Sequence, residues 1–77
     1  MKLEIVSPEK IVYNGQAEAI TLPGMGGLFT ILDRHAPIIA ALGKGKLTYS
    51  VDGAETELAV DGGFVEVKKN IVSVCVE

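Results

Sequence analysis

"KLTYSVDGAETELAV", residues 46–60, is the stretch that decides the fold. Leu47, Tyr49 and Val51 alternate with Lys46, Thr48, Ser50 and Asp52. This period of two sends apolar side chains to one face of an extended strand and polar ones to the other. Asp52-Gly53 follows, a pair that accepts positive φ and so closes a tight hairpin. Thr56, Leu58 and Val60 then alternate back against Glu55, Glu57 and Ala59. An isolated two-stranded hairpin is marginal in water, so the rest of the chain must supply a cover for its apolar face.

More strands are the expected cover. On the N-terminal side, Leu3 and Ile5 alternate with Lys2, Glu4 and Val6 until Ser7-Pro8, and Ile11 and Tyr13 continue the pattern to Asn14-Gly15, which reads as a turn. Ala17 to Leu22 makes a third strand closed by Pro23-Gly24, and Leu28 to Leu32 is short, apolar and β-prone. Between them lies a loop of Gly24, Met25, Gly26 and Gly27. The run from Ala36 to Leu42 fits a helical turn or a buried strand by length alone. Pro37 argues against a helix interior while allowing a first turn, and extended is the expectation. After the hairpin, Asp61-Gly62-Gly63 turns into Phe64 to Val67, and Lys68-Lys69-Asn70 turns into a last strand, Ile71 to Val76. No helical period is sustained anywhere. About eight or nine short strands joined by tight turns predict an all-β sandwich or barrel with mostly antiparallel pairing. At 77 residues the chain is expected to be one domain, 1–77.

Composition narrows the function. Seven basic against ten acidic residues leave a net charge of −3, which gives a phosphate backbone no electrostatic footing. No uncharged stretch approaches the ~20 residues of a membrane-spanning helix. One cysteine, Cys75, forms no internal disulfide and suits a reducing, cytoplasmic compartment. Among Val72, Val74 and Val76 it is expected to act as a small apolar filler.

Catalysis has little to work with. His35 is the only histidine, and nucleophilic hydrolysis needs a base with a nucleophile and an orienting group around it. A metal site is not expected, since His35 and Cys75 stand forty residues apart and fit no zinc spacing. Asp52, Glu55, Glu57 and Asp61 fall on the outward face of one hairpin, where water solvates them. The glycine loop is followed by neither a GK[ST] motif nor a helix, so it lacks phosphate-binding geometry. A lysine in a tight turn leaves one alternative of another class, a biotin- or lipoate-type carrier domain. Lys44 between two glycines and the Lys68-Lys69 pair are its candidate attachment sites.

Four segments in this order and spacing, "SPEKIVYNG" (7–15), "LPGMGGLFTIL" (22–32), "HAPIIAAL" (35–42) and "DGGFVEVKKNIVSV" (61–74), carry a family resemblance. The chain resembles the N-terminal β-sandwich domain of the epsilon subunit of the F-type ATP synthase, over essentially its whole length. The resemblance implies an all-β, two-sheet, mostly antiparallel β-sandwich of about ten short strands. It implies a non-catalytic part of the central stalk of a proton-translocating enzyme, needing no cofactor and linking the gamma subunit to the c ring. Its place would be peripheral, at the cytoplasmic face of a bacterial membrane. By motif, Ser7, His35, Ala36, Pro37, Ile38 and Ala40 are expected to face gamma, and Met25, Gly26, Gly27 and Leu28 the polar loops of the c ring. Relatives commonly carry an acidic residue in that loop; here Gly27-Leu28-Phe29-Thr30 has none, so apolar contact through Met25 or Leu28 is expected instead of a salt bridge. The inhibitory C-terminal helical hairpin of the family would start where residue 77 stands, so no hairpin-based inhibition is expected of these residues.

Overall fold

In the computed structural model, which describes residues 1–77, the chain forms nine strands and no helix. They are β1 (Lys2–Val6), β2 (Ile11–Gln16), β3 (Ala19–Gly24), β4 (Gly27–Leu32), β5 (Ile38–Leu42), β6 (Gly45–Val51), β7 (Ala54–Val60), β8 (Gly63–Lys68) and β9 (Ile71–Val76). The expected hairpin is β6–β7, paired from Gly45↔Val60 to Val51↔Ala54. Asp52 and Gly53 turn it with φ of 52° and 80°, the left-handed pair that matches the twist of the strands. Lys69 and Asn70, at 52° and 60°, do the same between β8 and β9.

The strands make two layers of one curled sheet. One layer runs β2-β1-β9-β8-β5, and the other holds β4, β3, β6 and β7. All pairings are antiparallel except β1 with β9. β3 joins the layers: it pairs with β4 along one edge, while its other edge pairs with β6 at Ala19–Thr21 and with β5 at Gly24↔Leu42. Alternation fills the space between layers. Leu3, Ile5, Val65, Val67, Val72 and Val74 point in from one side, and Ile20, Leu22, Ile31, Leu47 and Tyr49 from the other. Tyr13 and Tyr49 meet between the layers with ring centroids 4.7 Å apart. The core contains no buried polar or charged side chain, so its cohesion is apolar burial, about 25 cal/mol per Å² removed from water.

Two local expectations need correction. Asn14-Gly15 does not turn the chain; both residues lie inside β2, opposite Glu4 and Leu3. Gly15 leaves room for the Tyr13 side chain, whose hydroxyl would sit 2.8 Å from an added Cβ and instead donates to the Gln16 carbonyl at 2.7 Å. Cys75 is no core filler either. Strand parity sends Val72, Val74 and Val76 inward and leaves Cys75 half-exposed on the outer face.

Gly63 is the tightest point of the framework. Its φ is +135°, and a Cβ there would fall on the carbonyl oxygen of Cys75 across the β8–β9 ladder. Gly63→Ala is expected to cost at least ~1–3 kcal/mol, by forcing the strand apart at a strained φ. Urea unfolding of the two proteins measures it; equal midpoints would contradict it.

Candidate functional site

Between β4 and β5 the chain turns a corner at Asp33-Arg34-His35-Ala36-Pro37. The His35 N–H donates to the Leu32 carbonyl at 3.2 Å, closing a turn whose Arg34 takes a left-handed φ of 62°. A non-glycine residue tolerates that conformation only where its surroundings hold it. The Arg34 N–H donates to Asn70 Oδ1 at 2.7 Å, Asn70 Nδ2 donates to Asp33 Oδ1 at 2.9 Å, and the same oxygen meets the Met1 ammonium at 3.0 Å. The hydrogen bond from Asn70, then that from the ammonium, hold the Asp33 carboxyl below its ordinary value of 3.8; partial desolvation opposes them.

His35 answers to its own backbone. Nδ1 lies 2.7 Å from the Ala36 carbonyl oxygen, and because a carbonyl only accepts, Nδ1 carries the hydrogen. The imidazole therefore shapes the corner. No nucleophile is within its hydrogen-bonding set, and no group of three or more His, Cys, Asp or Glu side chains gathers anywhere to hold a metal ion. The surface has only shallow depressions, the widest lined by Pro37, Ile38, Ile39, Glu66, Val67 and Lys68.

The residues nominated from the sequence fall in three places. Ser7 makes the β1–β2 turn, its Oγ accepting from the Glu9 and Lys10 N–H groups at 3.4 and 3.3 Å. It lies at the Leu42 end of the first layer, because Leu42 pairs with Gly63, Gly63 with Val76, and Val6 with Cys75. His35, Ala36 and Pro37 lie at the opposite end, before Ile38. Thus the structure does not bring Ser7 and His35 together. Ile38 and Ala40 pack against the core, whereas Ile39 is 75% exposed and Ala41 is exposed beside it in parity. On this strand the outward contacts belong to Ile39 and Ala41.

Met25, Gly26, Gly27 and Leu28 do stand together at the β3–β4 tip, next to the Ala41 carbonyl that accepts from the Met25 N–H at 3.2 Å. Met25 and Leu28 are 74% and 72% exposed. Reading segment by segment missed an apolar row that continues from this tip. Ala41, Phe64, Cys75, Val6 and Ile11 are successive cross-strand partners on the outer face of the first layer. The signal was available: each occupies a position whose parity calls for a polar residue.

With this geometry in view, the comparisons discriminate sharply. A family model described as the ATP synthase delta/epsilon chain β-sandwich domain matches residues 1–77. The chain belongs to this family. It is 43% identical over 74 residues to the ATP synthase epsilon chain of Leptospira interrogans, covering 96% of this chain and 58% of that one. It is 43% identical over 70 residues to the epsilon chain of Chlorobium limicola, 90% and 80% of the two chains. The chain thus spans little more than half of the Leptospira relative. A chain of the Euglena gracilis mitochondrial ATP synthase superposes with a TM-score of 0.90 at 21% identity, covering 96% of this chain and 48% of its own, and shows that the family's fold is shared. The family leaves the carrier alternative without support: Lys44 and Lys69 are exposed lysines of short connections, and Lys68 is an exposed lysine at the end of β8.

The Asp33 carboxyl gives a pH prediction. Its folded value is depressed, so its stabilisation is complete above the ordinary value of 3.8 and disappears as pH falls through the depressed one. Melting temperatures of the wild type and Asp33→Asn, taken from pH 7 to pH 2, should therefore differ at neutral pH and converge at the acid end. A constant gap would show that the carboxylate charge contributes nothing.

Proposed function

We propose that this domain is a non-catalytic part of the central stalk of a bacterial F-type ATP synthase, coupling the gamma subunit to the c ring as the rotor turns. What carries the reading is the family match along residues 1–77. Residues 1–77 act as one β-sandwich unit, peripheral to the membrane on its cytoplasmic face and held there by its partners. The flux it serves is proton translocation coupled to ATP synthesis.

The geometry suits such a part. Every strand is laced to a neighbour and every connection is short, so the block resists shear, and a close-packed interior passes strain on. Two surfaces provide the grip. The corner of His35, Ala36 and Pro37, continued along β5 by Ile39 and Ala41, faces gamma, with Ser7 at the far end of the same sheet. The tip of Met25, Gly26, Gly27 and Leu28 meets the c ring through apolar side chains. Apolar anchors suit both contacts, because desolvated centres supply most binding energy while exposed ion pairs supply little.

The mutational test uses strand parity. Ile39→Asp places a carboxylate in the proposed contact while sparing the core, and is expected to weaken capture of gamma at least ~10-fold, as loss of a buried apolar anchor does, with the melting temperature close to wild type. Ile38→Asp would drive the carboxylate into the core and unfold the domain. Met25→Glu with Leu28→Glu should spare gamma capture and reduce retention on gamma–c-ring assemblies. A folded Ile39→Asp protein that still binds gamma normally would displace the gamma surface from β5.

A further inference from the structure

β4 leaves open an edge that nothing guards. Three strands, β2, β4 and β7, pair with a single neighbour. Such edges are ordinarily blunted by charge, proline or a bulge. β7 carries exposed Glu55 and Glu57, and β2 has a register shift against β1 beside Ile5 and Val6 together with exposed Asn14 and Gln16. β4, with the sequence GLFTIL, has none of these devices, and its register with β3 is unbroken from Ala19↔Leu32 to Gly24↔Gly27. Leu28 and Leu32 are 72% and 58% exposed, with Thr30 exposed between them.

The same residues turn their backbone to that edge. Gly24↔Gly27 closes the turn at Met25-Gly26 and is a hydrogen-bonded pair, so antiparallel alternation puts Leu28, Thr30 and Leu32 in the non-bonded pairs, with N–H and C=O directed away from β3. Two bonds agree with this. The Pro23 carbonyl, opposite Leu28, accepts from the Gly43 N–H on the other side of β3, and the Leu32 carbonyl accepts from the His35 N–H outside the ladder.

We propose that β4 is a self-association edge: two copies of this chain pair β4 with β4, antiparallel, about a twofold axis at Thr30, and so join their second layers into one sheet. In this register Thr30 faces the partner's Thr30, and Leu28 faces the partner's Leu32 at both ends. All the outward backbone groups of Leu28, Thr30 and Leu32 then meet counterparts, and a shift by two residues would leave a leucine unmatched. Charge also permits it. Asp33 falls opposite the partner's Gly27, and β4 itself is uncharged. Glu55 and Glu57 lie on β7, three strand spacings of ~4.8 Å from β4, which exceeds the Debye length of ~8 Å at physiological salt. The acidic edges of the two copies therefore stand at opposite ends of the joined sheet. A twofold contact of this kind closes on itself and builds no filament. The pairing itself does not rest on the rotor reading. On that reading Leu28 also belongs to the tip that meets the c ring, so dimer and assembled rotor exclude each other, and the dimer is the form that shields this edge off the rotor.

Sedimentation equilibrium and amide spectra of the chain across a concentration series test the edge. One short strand from each copy buries less than ~1,200 Å², so a weak dimer is expected, half formed somewhere between ~10 µM and ~1 mM, with no larger species. The amide signals of Leu28, Thr30 and Leu32 should move with concentration while those of β2 and β7 stay fixed. Two double variants test the register, all four substitutions being at exposed positions outside the core. Leu28→Glu with Leu32→Glu sets like charges opposite each other, and Leu28→Glu with Leu32→Lys sets opposite ones; the first is expected to associate at least ~10-fold more weakly than the second. A chain still monomeric at ~1 mM would overturn the proposal. So would equal association of the two double variants, or concentration-dependent shifts confined to the apolar row of the first layer. Failure of the c-ring contact would alter none of these outcomes, since no rotor partner is present.

Discussion

Everything about this shape depends on how β3 divides one of its edges. From Ala19 to Thr21 that edge pairs with β6, and at Gly24 it pairs with β5. Pro23 stands between the two partners. It has no N–H to continue the β6 ladder, and its carbonyl accepts from the Gly43 N–H at 2.7 Å, which starts the hand-over to β5. The crossing is tight: a Cβ on Gly45 would lie 2.9 Å from the Pro23 ring, and one on Gly24 would meet Phe29 and the Gly27 carbonyl. These glycines let the sheet bend back on itself at a backbone separation that no side chain allows.

The bend creates an inside and two outsides. Apolar residues of both layers fill the interior, and the outer faces differ according to what each strand carries at outward parity. On the second layer, Glu55 and Glu57 stay in water, with Lys46 and Glu57 only loosely paired at 3.9 Å; an exposed pair of that kind contributes little. On the first layer, the row from Ala41 to Ile11 is apolar throughout. The bend also carries the Met25–Leu28 tip alongside Ala41, so the tip and the apolar row adjoin at one end of the sandwich while His35 stands at the other. The corner and the tip are therefore held apart on one block, whereas a reacting site needs groups that converge.

Polar side chains in this protein mostly serve as staples for the backbone. Glu18 accepts from the Asp52 and Gly53 N–H groups at 2.6 and 3.2 Å, tying the β2–β3 link to the tip of the β6–β7 hairpin. Asp33 and Asn70 do the same for the β4–β5 corner and the β8–β9 turn. Such groups hold exposed turns in place, where charge-assisted hydrogen bonds to backbone are stronger than neutral ones. They explain why short turns can stay fixed at the margin of a core built entirely from apolar residues.

Alternation and turn residues were enough to establish strands, hairpins and the absence of helices, because both depend on interactions within a few residues of chain. The β6–β7 hairpin and the Lys69-Asn70 turn follow directly from that local chemistry. The four-segment resemblance, which spacing along the chain preserves, was enough to indicate the family. Pairing across the chain was not legible, since β1 beside β9, or β3 shared between β5 and β6, depends on contacts between residues far apart in sequence. The same reason hid the role of Asn14-Gly15, whose place opposite β1 overrides its turn preference. It also separated Ser7 from His35, turned Ile38 and Ala40 inward, and joined Met1 to Asp33 and Asn70. Which residues share a surface was decided only when the sheet closed, because strand neighbours, unlike strand parity, are chosen by the packing of the whole core.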